Sequence, residues 1–273
     1  MAEVRGRRTV ILRLVAARVK IAASLILRDE LSRYLEPCLL SLLEFCDEVR
    51  VLDDGSTDGW YETLKPGWGD ATSRVHVLDH SGHGDQPAFH SHAQARNRLV
   101  AWSMEGGADY VLAVDADEFV TDGAALRRAC EFGSPAVSLT MREVWEACDD
   151  CLCIREDGGW RSHDIAICWR PDAVAGRSLA IRDLGHATGR VPEAVNTLAA
   201  MPSGVSVLHF GWANRQERAV RYERYAVGDG GQFHALAHIQ SIMWPDEKVE
   251  CDAMDWPAGL ADVQGTILER ANR

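Results

Sequence analysis

Three residues at the end of one apolar run could do chemistry together. The segment 110-YVLAVDADEF-119 carries a short hydrophobic stretch straight into Asp115, Asp117 and Glu118, with Ala116 between the two aspartates. Carboxylates crowded at a strand end repel one another unless a positive partner sits among them. A divalent cation is one such partner, since Mg²⁺ and Mn²⁺ favour oxygen ligands and often join one or two carboxylates to substrate phosphates. On a strand, residues i and i+2 point the same way, so Asp115 and Asp117 could contribute to one ligand set. A second acidic pair, Asp53-Asp54, ends the run 48-EVRVLD-53 and leads into Gly55-Ser56-Thr57-Asp58, which reads as a turn with a helix cap.

The elements around these residues alternate. Ile21–Leu27 is continuously apolar, as expected of a strand buried on both faces. Leu31, Tyr34, Leu35, Cys38, Leu39, Leu42 and Leu43 follow at helical spacing. Strands are expected over 48–53, 74–78 and 110–114, with a helix beginning near Gln94. Such alternation predicts an α/β chain with a mostly parallel, Rossmann-like sheet. Ligands of such sheets sit at the carboxyl ends of the strands, where both acidic clusters fall. Beyond residue 125 the rhythm changes: 136–144, 165–169 and 205–210 read as strands without regular crossovers, and 214–243 reads as helical. The expected organisation is an N-terminal extension (1–18), a ligand-binding half (19–125), a second half (126–213) and a helical C-terminal tail (214–273).

Composition narrows the function. The 273 residues are 47% hydrophobic and 26% charged, which is ordinary for a globular chain. The formal net charge of −12 disfavours nucleic acid and anionic membranes as partners. A small anionic ligand would need local arginines or a metal ion. Arginine is abundant whereas lysine occurs only at Lys20, Lys65 and Lys248, a bias that hints at a GC-rich bacterial genome. Arg13, Arg18 and Lys20 interrupt the apolar N-terminus, and no uncharged stretch is long enough to span a bilayer. A cytoplasmic protein with reduced thiols is therefore expected for the eight cysteines. Cys148, Cys151 and Cys153 form C-x₂-C-x-C, with His163 and Cys168 nearby, but no second pair at matching distance favours zinc.

Taken in order, several segments resemble family 2 glycosyltransferases of the GT-A fold. They are 25-LILRDE-30 (with Asp29 where the family usually has Asn), 51-VLDDGSTDG-59, 94-QARNRLV-100, 114-VDADEF-119 and 208-LHFGW-212. The first four span about 100 residues, and the second half matches only loosely. The resemblance implies transfer of a sugar from a nucleotide diphosphate, with a UDP-sugar favoured, to an acceptor hydroxyl on a glycan, lipid-linked sugar or natural product. It implies that Leu27, Arg28, Glu30, Asp53 or Asp54, Arg96, Asn97, Asp115 and Ala116 meet the nucleotide. Asp115, Asp117 and His209 would hold Mn²⁺ or Mg²⁺. Family 2 enzymes generally invert, so a carboxylate base is implied; the candidates are Glu193, favoured by its place in 189-GRVPEAV-195, and Glu143, Glu146 and Asp164. Trp145, Trp160, Trp169, Trp212 and Trp244 are candidates to frame a sugar, with core packing accounting for most of them. The histidine-containing stretch 80-HSGHGDQPAFHSH-92 (His80, His83, His90, His92) reads as a loop over the donor site. A sugar nucleotidyltransferase would share the fold, but no glycine-rich loop follows the first strand. A non-catalytic nucleotide-sugar binder would keep the same acids, and an unrelated metal-dependent hydrolase would not need DDGSTDG.

Overall fold

The computed structural model describes residues 18–79, 92–181, 189–228, 236–244 and 248–272. The N-terminal extension to residue 17, His80, His83, His90 and the side chain of His92 lie outside the described residues.

The chain forms β1 (Ile21–Leu27), α1 (Leu35–Phe45), β2 (Glu48–Asp53), α2 (Trp60–Leu64), β3 (Val75–Asp79), α3 (His92–Glu105) and β4 (Tyr110–Ala113). The order in the sheet over this half is β4-β1-β2-β3, and every neighbouring pair is parallel, as expected. β1 is buried along its whole length: Ile26 packs with Ala95 and Leu99 of α3, while Leu25 and Leu27 belong to the larger apolar cluster that includes Leu35, Leu39 and Leu42 of α1. Helix α1 starts at Leu35 rather than Leu31. Pro37 has no N–H to give Arg33 and its ring would clash there, so it is tolerated only in the first turn.

The remaining elements are β5 (Glu118–Val120), α4 (Gly123–Glu131), β6 (Ala136–Ala147), β7 (Cys151–Arg155), β8 (His163–Trp169), β9 (Ala200–His209), α5 (Arg215–Gly228), α6 (Leu236–Ser241), β10 (Cys251–Asp255) and α7 (Gln264–Ala271). They extend the same sheet: β8 pairs antiparallel with β4, β6 with β8, β7 with β6 and β10 with β7. β9 runs parallel to β6 and antiparallel to β5. One ten-stranded sheet thus runs through both expected halves. Among the described residues of the tail, α5, α6 and α7 are helical as expected, whereas β10 is a strand exposed along nearly its whole length and gives little apolar signal.

Two sequence expectations change. Cys153 and Cys251 are joined as a disulfide between β7 and β10, against fully reduced thiols. Trp145, Trp160, Trp169 and Trp212 are buried, so they pack the core instead of framing a ligand; Trp244 is the exposed member of the set. Among the described residues no helix is long and apolar enough to cross a membrane.

Candidate functional site

The carboxyl ends of β1, β2 and β4 and the end of β9 meet at one place, and the register explains how. Glu118 on β5 pairs with His209 on β9, and His209 pairs in turn with Glu143 on β6. Two backbone ladders therefore bring the acidic strand end and the late histidine together across more than ninety residues of sequence.

The two aspartates of the acidic motif face different partners. Asp115 Oδ1 accepts a hydrogen bond from Arg96 Nη2 at 2.5 Å, and Arg190 Nη2 lies 3.7 Å from Oδ2. Burial pushes the Asp115 carboxyl up, but Arg96 and then Arg190 outweigh it and hold it well below the usual range. Asp117 Oδ2 accepts from Arg221 Nη2 at 2.8 Å and lies 3.5 Å from Arg33 Nη2. Its Oδ1 faces His209 Nε2 at 3.6 Å. Burial again opposes ionisation, and His209, Arg221 and Arg33 together hold the carboxyl well below its ordinary value. Asp115 and Asp117 thus do not converge on one point. Among the described residues, no group of three or more His, Cys, Asp or Glu side chains is gathered as a metal cage would gather them.

Arginines supply the positive charge inside the acidic cluster. Arg33 bonds Glu217 through Nε at 3.0 Å and Glu30 through Nη1 at 2.7 Å, beside its contact with Asp117. Arg190 makes a close ion pair with the fully buried Glu118, whose carboxyl burial pushes up. Burial likewise pushes the Glu30 carboxyl up to about 7, against the pull of Arg33. Six carboxylates (Glu30, Asp115, Asp117, Glu118, Glu143, Glu217) thus face four guanidiniums (Arg33, Arg96, Arg190, Arg221) and one imidazole.

The donor set nevertheless fits a divalent cation through two residues. His209 Nδ1 lies 2.6 Å from Glu143 Oε2, which turns Nε2 toward Asp117 Oδ1. A carboxylate on one ring nitrogen that aims the other nitrogen at a metal is the usual support for a ligating histidine. Mg²⁺ and Mn²⁺ need only one or two protein ligands when substrate phosphates supply the rest. Desolvation disfavours the charged imidazole, but Glu143 and Asp117 raise the His209 pKa well above its ordinary value, so a cation arriving between Asp117 and His209 displaces a proton. Gly211 leaves room for this arrangement: a Cβ there would stand 2.5 Å from His209 Nε2 and 2.8 Å from both terminal nitrogens of Arg221.

The other expected residues fall as follows. Both Asp53 oxygens serve their own loop, Oδ1 accepting from Ser56 N and Oδ2 from Trp60 Nε1, each at 2.8 Å. Asp54 is fully buried, with Arg28 Nη1 4.0 Å from its Oδ2. The loops after β1 and β2 are tied to each other. Asp29, the one described non-glycine residue with positive φ (52°), donates its N–H to Ser56 Oγ at 3.0 Å and accepts from Thr57 N at 2.6 Å. These bonds offset the strain of a left-handed Asp. Asp58 accepts from Trp60 N at 3.2 Å and from Leu31 N at 2.8 Å, so it ties the two loops together; the N-cap of α2 is Gly59, without a side-chain cap. Leu27 and Ala116 are buried. Arg96 faces the acids, whereas Asn97 turns away and accepts from Ile181 N at 2.8 Å.

Of the candidate bases, Glu143 is committed to His209. Asp164 is exposed on β8 and accepts from Thr140 Oγ1 at 2.8 Å. Glu193 is exposed, three residues after Arg190, and its N–H donates to Ala180 O at 3.0 Å. Sequence reasoning missed Arg33, Arg190, Glu217 and Arg221. Glu217 and Arg221 are i and i+4 on α5 just after HFGW, a spacing that puts both on one helix face and could have identified them.

No family model matches the chain, and no curated protein matches it either. Solved structures do. The chain is similar to residues 1–349 of TarS from S. aureus, solved with UDP, at 13% identity over 82% of this chain and 69% of that one, with a TM-score of 0.42. It is similar to the mannosyltransferase PcManGT from Pyrobaculum calidifontis, solved with GDP-Man and Mn²⁺, at 13% identity over 94% and 74%, with a TM-score of 0.44. It is also similar to glucosyl-3-phosphoglycerate synthase from Mycobacterium tuberculosis, solved with Mn²⁺ and UDP-glucose, at 20% identity over 46% and 44%, with a TM-score of 0.32.

Proposed function

We propose that the chain is a metal-dependent glycosyltransferase of the GT-A type, similar to family 2, that moves a sugar from a nucleotide diphosphate to an acceptor hydroxyl. The observation that carries this reading is the line Glu143–His209–Asp117 inside a ring of arginines at the strand ends. A diphosphate and a dication arriving together add little net charge, so they can enter a site whose acids and bases already nearly balance.

Asp117 and His209 would hold the cation, with Glu143 orienting the imidazole. When bound, a divalent cation acts as a Lewis acid on the diphosphate leaving group. Arg33, Arg96, Arg190 and Arg221 each have a terminal nitrogen at the acids and can turn from carboxylate to phosphate oxygen. Asp115, paired with Arg96, would face the ribose. Asp53 builds the turn that positions Asp54, Arg28 and the backbone of 27–30 around the base. A UDP-sugar is the favoured donor. Transfer is assigned as inverting, with Glu193 taking the proton from the acceptor hydroxyl, because its segment is anchored at the acids by Arg190 while its own carboxylate faces solvent.

Calorimetry of UDP, GDP and dTDP with and without Mn²⁺ tests the reading. Metal-enhanced binding of one of them, abolished in Asp117→Ala, is the expected result. No enhancement for any nucleoside diphosphate overturns it. A panel of nucleotide sugars screened for hydrolysis then identifies the donor.

A further inference from the structure

A cavity of about 530 Å³ lies between the end of β6, the start of α5 and the C-terminal end of α7. Its lining includes Glu146, Cys148, Asn214, Arg215, Gln216 and Arg218. These residues are distinct from those that meet the acids at the strand ends, although Glu217 and Arg221 of the same helix belong to that site. Cys148 sits at the rim on the turn joining β6 to β7, and Cys151 closes the turn.

The two thiols are arranged for exchange. Cys148 N donates to Cys151 O at 2.9 Å, so the residues face each other across a two-residue turn. Residues paired in this way have Cα atoms about 5.5 Å apart, within the span a disulfide bridges. Their sulfurs lie 2.9 Å apart, and Cys151 N donates to Cys148 Sγ at 3.2 Å. Cys148 is exposed and Cys151 half-buried. The Cys151 side chain first, then backbone N–H groups of the turn, lower the Cys148 thiol below its ordinary value. The other free cysteines differ: Cys38, Cys46, Cys130 and Cys168 are all buried. Ring size separates this pair from the disulfide already present. Cys153–Cys251 closes 98 residues of chain and removes much unfolded-state entropy. A bond across one turn removes little, so it would form and reopen readily.

We propose that Cys148 and Cys151 form a thiol–disulfide exchange site at the edge of this cavity, acting on a small disulfide from solution. Cys148 thiolate attacks one sulfur of the incoming disulfide. That S–S bond breaks, one half leaves as thiolate, and the other half remains on Cys148. Cys151 gives its proton to solvent and attacks the Cys148 sulfur, expelling the second half as thiolate. The two cysteines are oxidised to a disulfide, and the small disulfide is reduced to two thiols.

The test is peptide mapping after differential alkylation of protein exposed to glutathione disulfide. Wild type is expected to bridge Cys148 to Cys151, and Cys151→Ser to stop with a glutathionyl group on Cys148. In Cys148→Ser, modification of Cys151 should be roughly tenfold slower or more, as it lacks the activated partner. Cys148 and Cys151 remaining alkylatable in wild type overturns the site altogether. If a serine variant misfolds, the wild-type map alone decides between a bridged and an open pair.

Discussion

Gly211→Ala is the sharpest probe of the site, because it adds one carbon where three nitrogens converge. Its Cβ would lie 2.5 Å from His209 Nε2 and 2.8 Å from Arg221 Nη1 and Nη2, where ordinary contact needs about 3.4 Å or more. One side must move by roughly 1 Å. Arg221 ends a long flexible side chain and can retreat, at the cost of its 2.8 Å bond to Asp117. His209 has less freedom, since Glu143 holds Nδ1 at 2.6 Å and the strand register fixes its backbone. Either response pulls Arg221 or His209 away from its place against Asp117. A displacement of about 1 Å in a positioned constellation can cost about 10²-fold in rate. Backbone strain is not the cause, because Gly211 is absent from the described glycines with positive φ, so alanine even reduces unfolded-state entropy. The expected result is therefore a large functional loss with a small change in stability, within about 2 kcal/mol. Calorimetry of UDP with Mn²⁺ and urea unfolding measure the two separately. Gly265→Ala on α7, where a Cβ meets nothing within 4 Å, is the matched control. Wild-type metal-dependent binding in Gly211→Ala would show that His209 and Arg221 need not converge.

Three further outcomes follow from the contacts. Glu143→Gln keeps an acceptor for His209 Nδ1 but removes its charge, and Mn²⁺ affinity should fall about 10- to 100-fold with the fold intact, read by metal titration. Trp60→Phe removes the Nε1–H bonded to Asp53 Oδ2 in a buried setting, so urea unfolding should report a loss of about 1–3 kcal/mol. Burial raises the Asp47 carboxyl, but the N–H of Ile21 and then Arg127 outweigh it and hold it below its ordinary value. Its stabilisation is present above the unfolded carboxyl value near about 3.9 and is lost as the pH falls through the lower folded value. Asp47→Asn should therefore flatten the fall in melting temperature between about pH 5 and about pH 2; an unchanged slope refutes the assignment.

The parallel half was legible because its strands are short segments rich in aliphatic residues that run into charged residues: 21–27, 48–53 and 110–113 are buried almost everywhere. The second half was harder for a local reason. β7 and β10 depend on pairing partners more than on their own pattern, and β10 is exposed along nearly its whole length. The disulfide joining Cys153 to Cys251 was likewise invisible, since spacing alone cannot say which of eight cysteines meet. At the site, the acids were readable from their clustering, but their partners come from far along the chain: Arg33 reaches Glu217, and Arg190 reaches Asp115 and Glu118. Crowded carboxylates require positive charge, and four arginines meet that need without a metal. Neutralisation alone therefore cannot single out a cation site. The imidazole adds the distinguishing information. An arginine pairs with carboxylates as a donor only, whereas His209, with one nitrogen on Glu143 and the other toward Asp117, can give up a proton and become a ligand. That capacity, more than the count of acids around it, separates a site built to take a cation from a buried ion-pair network.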